Sequence, residues 1–275
     1  MTHFSLSLLT VLGLALSGSA VAQDVVRVGG TGTGTLLIQR VLPSYAKLRP
    51  NVHATAITPP LGSAGGLRAL AAGSIQVAVL SIPSKSPAKS GDAGTTTEVP
   101  WVATPFVFTG RDVRAGTELT LGQVAAMYSG RVTQWPGGAP IRLVTRTDRE
   151  TDTRILRSTS VEMDEALTLA SKRLGMPFAE NDLDNQDLLE RTPGSFGGVA
   201  LGQLLLSKSP LKPVILDGVA PSSESLRAGT YRIAKPLYLV VSNAPSAATL
   251  DFIKHLQSPE VMKMIVAYGF VPIQR

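Results

Sequence analysis

The chain has 275 residues, with 26 Lys and Arg against 20 Asp and Glu for a net charge of +6, and no cysteine. The missing cysteines exclude a disulfide framework, a thiol nucleophile and a lipid-modified cysteine anchor. Basic residues are scattered without a run of three and aromatic residues are only 5%. Neither a phosphate-tracking stripe nor a stacking platform for nucleic acid is therefore present, while the positive balance attracts small anions.

Met1 to Ala22 hold an apolar run from Phe4 to Leu16 and then Ala20-Val21-Ala22, the small-x-small pattern that signal peptidase needs. This segment reads as an export signal, and the run is too short to span a bilayer. A mature chain of roughly 250 residues, free in an extracytoplasmic space, is expected. At that size about 75% of the surface of the chain can be buried without a metal or a disulfide.

The apolar alternation Val25, Val26, Val28 runs into Gly29-Gly30-Thr31-Gly32-Thr33-Gly34-Thr35-Leu36 and then into the helical spacing Leu37, Val41, Tyr45, Leu48. This is a strand, a glycine-rich turn and a helix. Alternating glycines let the backbone approach a ligand, the threonines supply hydroxyl donors, and the helix start favours an anion. The other reading is a turn that only lets strand and helix pack. A P-loop is excluded because Thr35-Leu36 follows the last glycine where Lys-Ser/Thr is needed. The dinucleotide fingerprint fails on spacing, and no carboxylate lies between His53 and Pro60.

Pro43 is expected to break the helix and start a second short one. Val52 to Ile57 is a strand, and Pro59-Pro60-Leu61-Gly62-Ser63-Ala64-Gly65-Gly66 repeats the turn-to-helix logic before a helix from Leu67 to Ala72. A third strand, Ile75 to Leu80, completes a β-α-β-α-β pattern, which implies a parallel sheet with both turns at the carboxyl ends of strands. Ser84 to Thr97 reads as a surface loop, and Trp101 to Phe108 as an apolar strand. Thr120-Leu121-Gly122-Gln123 is a capping box opening a helix that ends at Gly130.

Arg146-Thr147-Asp148-Arg149-Glu150-Thr151-Asp152-Thr153 follows the strand Ile141 to Val144 and precedes a helix. Arg146 could grip an oxyanion in two-pronged fashion, with Thr151 and Thr153 donating hydroxyls. Alternatively Asp152 or Thr151 is a plain N-cap and the arginines pair with Asp148 and Glu150 on the surface. Asn181 to Asp187 lacks the glycine and the closing glutamate of a calcium loop and reads as a capped polar loop. Tyr231 to Val241 is a long strand with one proline, and two helices, from about Pro245 to His255 and from Ser258 to Gly269, close the chain. After export only His53 and His255 remain, neither in a ligand-spaced pair, so metal or histidine-based chemistry has no support.

In this order of elements the chain resembles the substrate-binding proteins of ABC phosphate importers, which have the type II periplasmic binding-protein fold. The resemblance is carried by Gly30 to Thr35, Gly62 to Gly66, Leu121 to Trp135, Pro140 to Arg146, Thr192 to Gly197, and Ser258 to Pro272. It implies a two-lobed α/β fold with residues 23–100 and 235–275 in lobe 1 and 101–234 in lobe 2. Trp101 to Phe108 and Tyr231 to Val241 would be the two strands of a hinge. It also implies a small oxyanion, phosphate first, held between the lobes and passed to ABC permease subunits by a monomer with no cofactor, metal or catalytic step. The alternative is a binding or sensor module of the same fold for another anion or small acidic ligand.

Carried over residue by residue, Thr33, Gly34 and Thr35 match the first loop of the family and Ser63 the second, while Arg146 and Asp148 match the start of its R-x-D-x-S-G-T segment. The family's phosphate-accepting aspartate is replaced by Ser81, and its Ser-Gly-Thr by Glu150-Thr151-Asp152-Thr153. The acceptor for a ligand proton is then either lost or moved to Asp152.

Overall fold

Residues 24–81, 96–173 and 177–273 are described by a computed structural model. The export signal and nearly all of the loop expected at Ser84 to Thr97 lie outside the described residues. The first strand β1 (Asp24–Gly30) leads through Thr31 into α1 (Gly32–Leu48), followed by β2 (Val52–Ala56), α2 (Gly62–Ala71) and β3 (Val77–Leu80). The strand order β2-β1-β3 is parallel throughout, as the sequence pattern requires, and both turns open at the carboxyl edge of this sheet.

Apolar positions at helical spacing press Leu37, Ile38, Val41 and Tyr45 of α1 onto Val26, Val28, Val77 and Val79. Contrary to expectation, Pro43 does not interrupt α1, which runs unbroken across it. The helix carries on because its apolar stripe continues to Tyr45, which is fully buried against Phe252.

The strand β4 (Thr96–Thr109) spans 14 residues and changes company along its length. After it come β5 (Glu118–Leu119), α3 (Leu121–Ser129), β6 (Arg142–Leu143), β7 (Thr145–Arg146), α4 (Thr151–Arg157), α5 (Val161–Ala170), β8 (Phe178–Ala179), α6 (Asp182–Arg191), β9 (Ser195–Ala200), α7 (Leu201–Ser207), β10 (Ile215–Leu216) and α8 (Ser223–Arg227). The chain closes with β11 (Ala234–Ser242), α9 (Ala247–Leu256), α10 (Pro259–Val266) and β12 (Val271–Pro272). Thr120 forms the expected capping box of α3, and Gly130 ends that helix with a left-handed backbone at φ 83°. The segment expected as a polar loop is the start of α6, with Asn181 as N-cap accepting from the amides of Leu183 and Asp184. The cap was legible and the helix behind it was not, because Leu183, Leu188 and Leu189 give it only a thin apolar face.

Residues 96–105 of β4 run antiparallel to β11, whereas Phe106 to Thr109 pair with β9. The same switch divides the interior. Trp101 and Val102 pack with β1, β3, α1, α9 and α10, and Phe106, Val107 and Phe108 pack with α3, α5, β9 and Tyr231. A smaller cluster of Leu70, Ile75, Ala78, Leu80 and Val240 covers the other face of the first sheet under α2. No helix among the described residues is long and apolar enough to cross a membrane.

Candidate functional site

Thr31 caps α1 by accepting from the amide of Gly34 at 3.0 Å, which leaves the amide of Thr33 pointing out of the first turn. That amide donates to Asp182 Oδ2 at 3.0 Å, and the Thr33 hydroxyl lies 3.0 Å from the same oxygen and 2.9 Å from Gln203 Oε1. Having one hydrogen, the hydroxyl serves one of these acceptors at a time. Lys235 Nζ reaches Asp182 Oδ2 at 2.9 Å, and the Arg146 guanidinium donates to Asp182 Oδ1. The carboxylate of Asp182 is thus held by two cations, one backbone amide and one hydroxyl, at the first turn of both α1 and its own helix α6, where partial positive charge gathers.

The opposite side of the two cations is taken by Asp152. Its Oδ2 accepts from Arg146 at 3.2 Å and its Oδ1 lies 2.6 Å from Lys235 Nζ. Glu150, at the outer edge, pairs with Arg146 at 2.5 Å. Arg146, Lys235, Asp152 and Asp182 are all buried, so each charge needs its partners to offset lost hydration. Burial alone would push the Asp182 carboxyl up, but Lys235 and Arg146 outweigh it and hold the group below the usual carboxylate range. Burial would lower Lys235 and Arg146, and the facing carboxylates instead raise both. The cluster contains two positive and three negative groups, so it carries no surplus of positive charge. The cavity beside Arg146, Asp152, Thr153 and Asn185 measures about 20 Å³, room for one water molecule.

A second polar group adjoins the cluster at the start of α2. The Ser63 hydroxyl accepts from the amide of Ser81 at 3.2 Å and lies 3.3 Å from the hydroxyl of Thr151. The hydroxyls of Thr35 and Ser81 are buried and have no partner among the described residues.

Of the residues singled out in the sequence, Thr33, Ser63, Ser81, Arg146, Thr151 and Asp152 meet around the junction of α1, α2 and α4. Asp148 does not join them. Its side chain is 60% exposed and pairs with Arg157 at 2.7 Å, while Arg146 pairs with Glu150, as the alternative reading expected, and with Asp152. Thr153 is buried, but its hydroxyl donates to the Arg146 carbonyl at 3.1 Å and so steadies the backbone of that arginine. Neither Asp152 nor Thr151 is the N-cap of α4, a position held by Glu150 without a side-chain cap bond.

The glycines divide between the two readings of the first loop. A side chain at Gly30, whose φ is 144°, or at Gly34 would strike Val79, at 2.0 Å from its carbonyl oxygen and 2.5 Å from Cγ1 respectively. Gly30 serves the close pairing of β1 with β3 and Gly34 the packing of α1 on β3, and the Gly34 amide is already engaged by Thr31. Gly32 instead admits Asp182, whose Cβ would lie 2.8 Å from an added methyl. What the loop approaches closely is a carboxylate of the chain itself.

Asp182, Lys235 and Gln203 were missed in the sequence. Lys235 had a signal: it shares the inward phase of β11 with Leu237, Leu239 and Val241, where an unpaired lysine would be costly. Asp182 had none beyond its place after a good N-cap, and α7, which carries Gln203, was not anticipated.

Among solved structures, the chain is similar to a Clostridium perfringens protein described as a phosphate ABC transporter substrate-binding protein with bound phosphate. Identity is 18%, with 91% of this chain and 100% of that chain covered at a TM-score of 0.76. It is also similar to an ABC-type phosphate transport receptor from Vibrio cholerae, at 17% identity, coverage of 90% and 99% and a TM-score of 0.63. The periplasmic molybdate-binding protein of Azotobacter vinelandii matches at 15% identity, coverage of 90% and 100% and a TM-score of 0.64. No curated protein matches the chain. The family model of the PBP superfamily domain matches residues 17–260, and with most of its length so matched the chain belongs to that superfamily.

Proposed function

We propose that this chain is a periplasmic solute-binding protein that captures a small oxyanion, phosphate first, and delivers it to an ABC permease without any catalytic step. The observation that carries this reading is the seat around the Asp182 carboxylate. An amide and a hydroxyl at the start of α1 converge there with Arg146 and Lys235, a donor set suited to an anionic oxygen pair. The phosphate and molybdate proteins of similar fold support the ligand class.

Two lobes joined by β4 and β11 fit this role. The core of one is built from β1, β3, α1, α9 and α10 and that of the other from α3, α5 and β9, and a pair of strands crossing between them gives a hinge that can open around a ligand. Thr33 and Ser63 would face the ligand from one lobe, Arg146 and Thr151 from the other.

Calorimetric titration of the mature protein with phosphate, sulfate and molybdate tests the reading. Saturable binding of at least one is expected, lost in Arg146→Ala because no other guanidinium among the described residues pairs with Asp182 or Asp152. Absence of binding to every anion, together with a co-purified ligand of another chemistry in native mass spectrometry, would replace it.

A further inference from the structure

Thr33, Arg146 and Lys235, the donors that converge on the seat, are already engaged by Asp182. Asp182 projects from α6, which packs on β9 through Leu189 and Asn185, yet its carboxylate is grasped by Thr33 of α1, which belongs to the other core. Its backbone carbonyl is held as well, accepting from Gln203 Nε2 at 2.8 Å, and Gln203 Nε2 also donates to Gln186 Oε1 at 2.9 Å. The aspartate therefore spans the junction with both ends fixed. Gly32 supplies the space for its Cβ. Around it negative charge is already in excess: Arg146 and Lys235 face Asp182, Asp152 and Glu150. A dianion added to that set would meet net negative charge in a buried site, which is strongly unfavourable.

We propose that Asp182 is a resident occupant of the anion seat, closing the two halves of the molecule on each other in the absence of ligand and leaving the seat when an oxyanion takes its place. This rests on the oxyanion-binding reading above. Displacement explains three features together. The Thr33 hydroxyl has a second acceptor, Gln203 Oε1, ready when the ligand changes. The hydroxyls of Thr35 and Ser81 stand buried and unpartnered, donors in reserve for an anion larger than a carboxylate. Removing the Asp182 charge also leaves Arg146 and Lys235 with just enough negative charge, from Asp152 and Glu150, to make the seat neutral before the ligand enters. Asp182 thereby lowers affinity for every oxyanion and sets the threshold at which the protein fills.

The test compares the unaltered mature protein with Asp182→Asn and Asp182→Ala by phosphate calorimetry and small-angle scattering. Losing a charge-assisted competitor should tighten phosphate binding about tenfold or more in both variants. Without anion the variants should have a larger radius of gyration than the unaltered protein, and phosphate should restore the compact value. Formate, a free carboxylate, should raise the melting temperature of Asp182→Ala and leave that of the unaltered protein unchanged. In the unaltered protein, the carboxyl carbon resonance of Asp182 should move when phosphate is added, a readout that needs no variant. Phosphate binding by the unaltered protein with equal or weaker binding by the variants, or a resonance that stays fixed at saturation, overturns the inference and leaves the oxyanion reading standing. Failure of all three proteins to bind phosphate, sulfate or molybdate overturns both.

Discussion

Lys235 is a side chain whose burial makes sense only through its neighbours. Its ammonium reaches two carboxylates, at 2.6 and 2.9 Å, from opposite sides. Lys235→Met keeps the bulk of the stem but strands Asp152 and Asp182 beside a single guanidinium, and breaking a buried pair in this way costs about 3–5 kcal/mol. Urea unfolding should show a loss of that order; a loss under about 1 kcal/mol, the range of surface pairs, would mean that water reaches the cluster. The same groups fix a pH dependence. Asp182 is held below its unfolded value of about 3.9, so its contribution is present above that pH and fades as pH falls toward the folded value. Lys235 is raised above its unfolded value of about 10.4, so its contribution is present below that pH and fades as pH rises through the folded value. The urea midpoint should decline at both ends of the pH range, and the alkaline decline should shrink in Lys235→Met. An identical alkaline limb in both proteins would place the titrating group elsewhere.

At the scale of elements, the joint between β1 and α1 is set by packing more than by ligand. Gly34→Ala would place a methyl 2.5 Å from Val79 Cγ1, and overpacking of this kind costs about 1–3 kcal/mol. Making room with Val79→Ala should return part of that loss, so the double variant is expected to be more stable than the sum of the single changes predicts. Strict additivity in urea unfolding would show that the clash is relieved in some other way. The elements most readable in the sequence are those with strong local punctuation: Gly-rich turns, the Thr120 capping box, and Ser258 before Pro259 at the start of α10. Those that were not, α6 and α7, have short or weakly apolar faces and owe their place to contacts across the fold. For the same reason the sequence pointed to Thr33, Ser63, Arg146, Thr151 and Asp152, which sit at such turns, and passed over Asp182, Gln203 and Lys235. A salt bridge between residues 53 positions apart leaves no periodic trace.

At the scale of the whole molecule, the two ends of the chain complete one interior. Val26, Leu37 and Val77 from the first third pack with Leu237, Phe252, Ile265 and Phe270 from the last, and β11 sits between β3 and β4. A chain ending after Ile233 would keep most of the second core and lose one wall of the first. Such a truncation should unfold without the full cooperative transition, with loss of near-ultraviolet signal from Tyr45 and Trp101; a native-like transition would mean that the first core closes without its late strand. The central placement of β11 also has a temporal side. Because its partners are made some 130 to 160 residues before it, β3 and β4 stay without their shared neighbour until nearly the whole polypeptide exists. Closing so long a loop is entropically slow. The first core therefore stays open on one side for most of synthesis, and β11 is the strand whose arrival commits the polypeptide to its final shape.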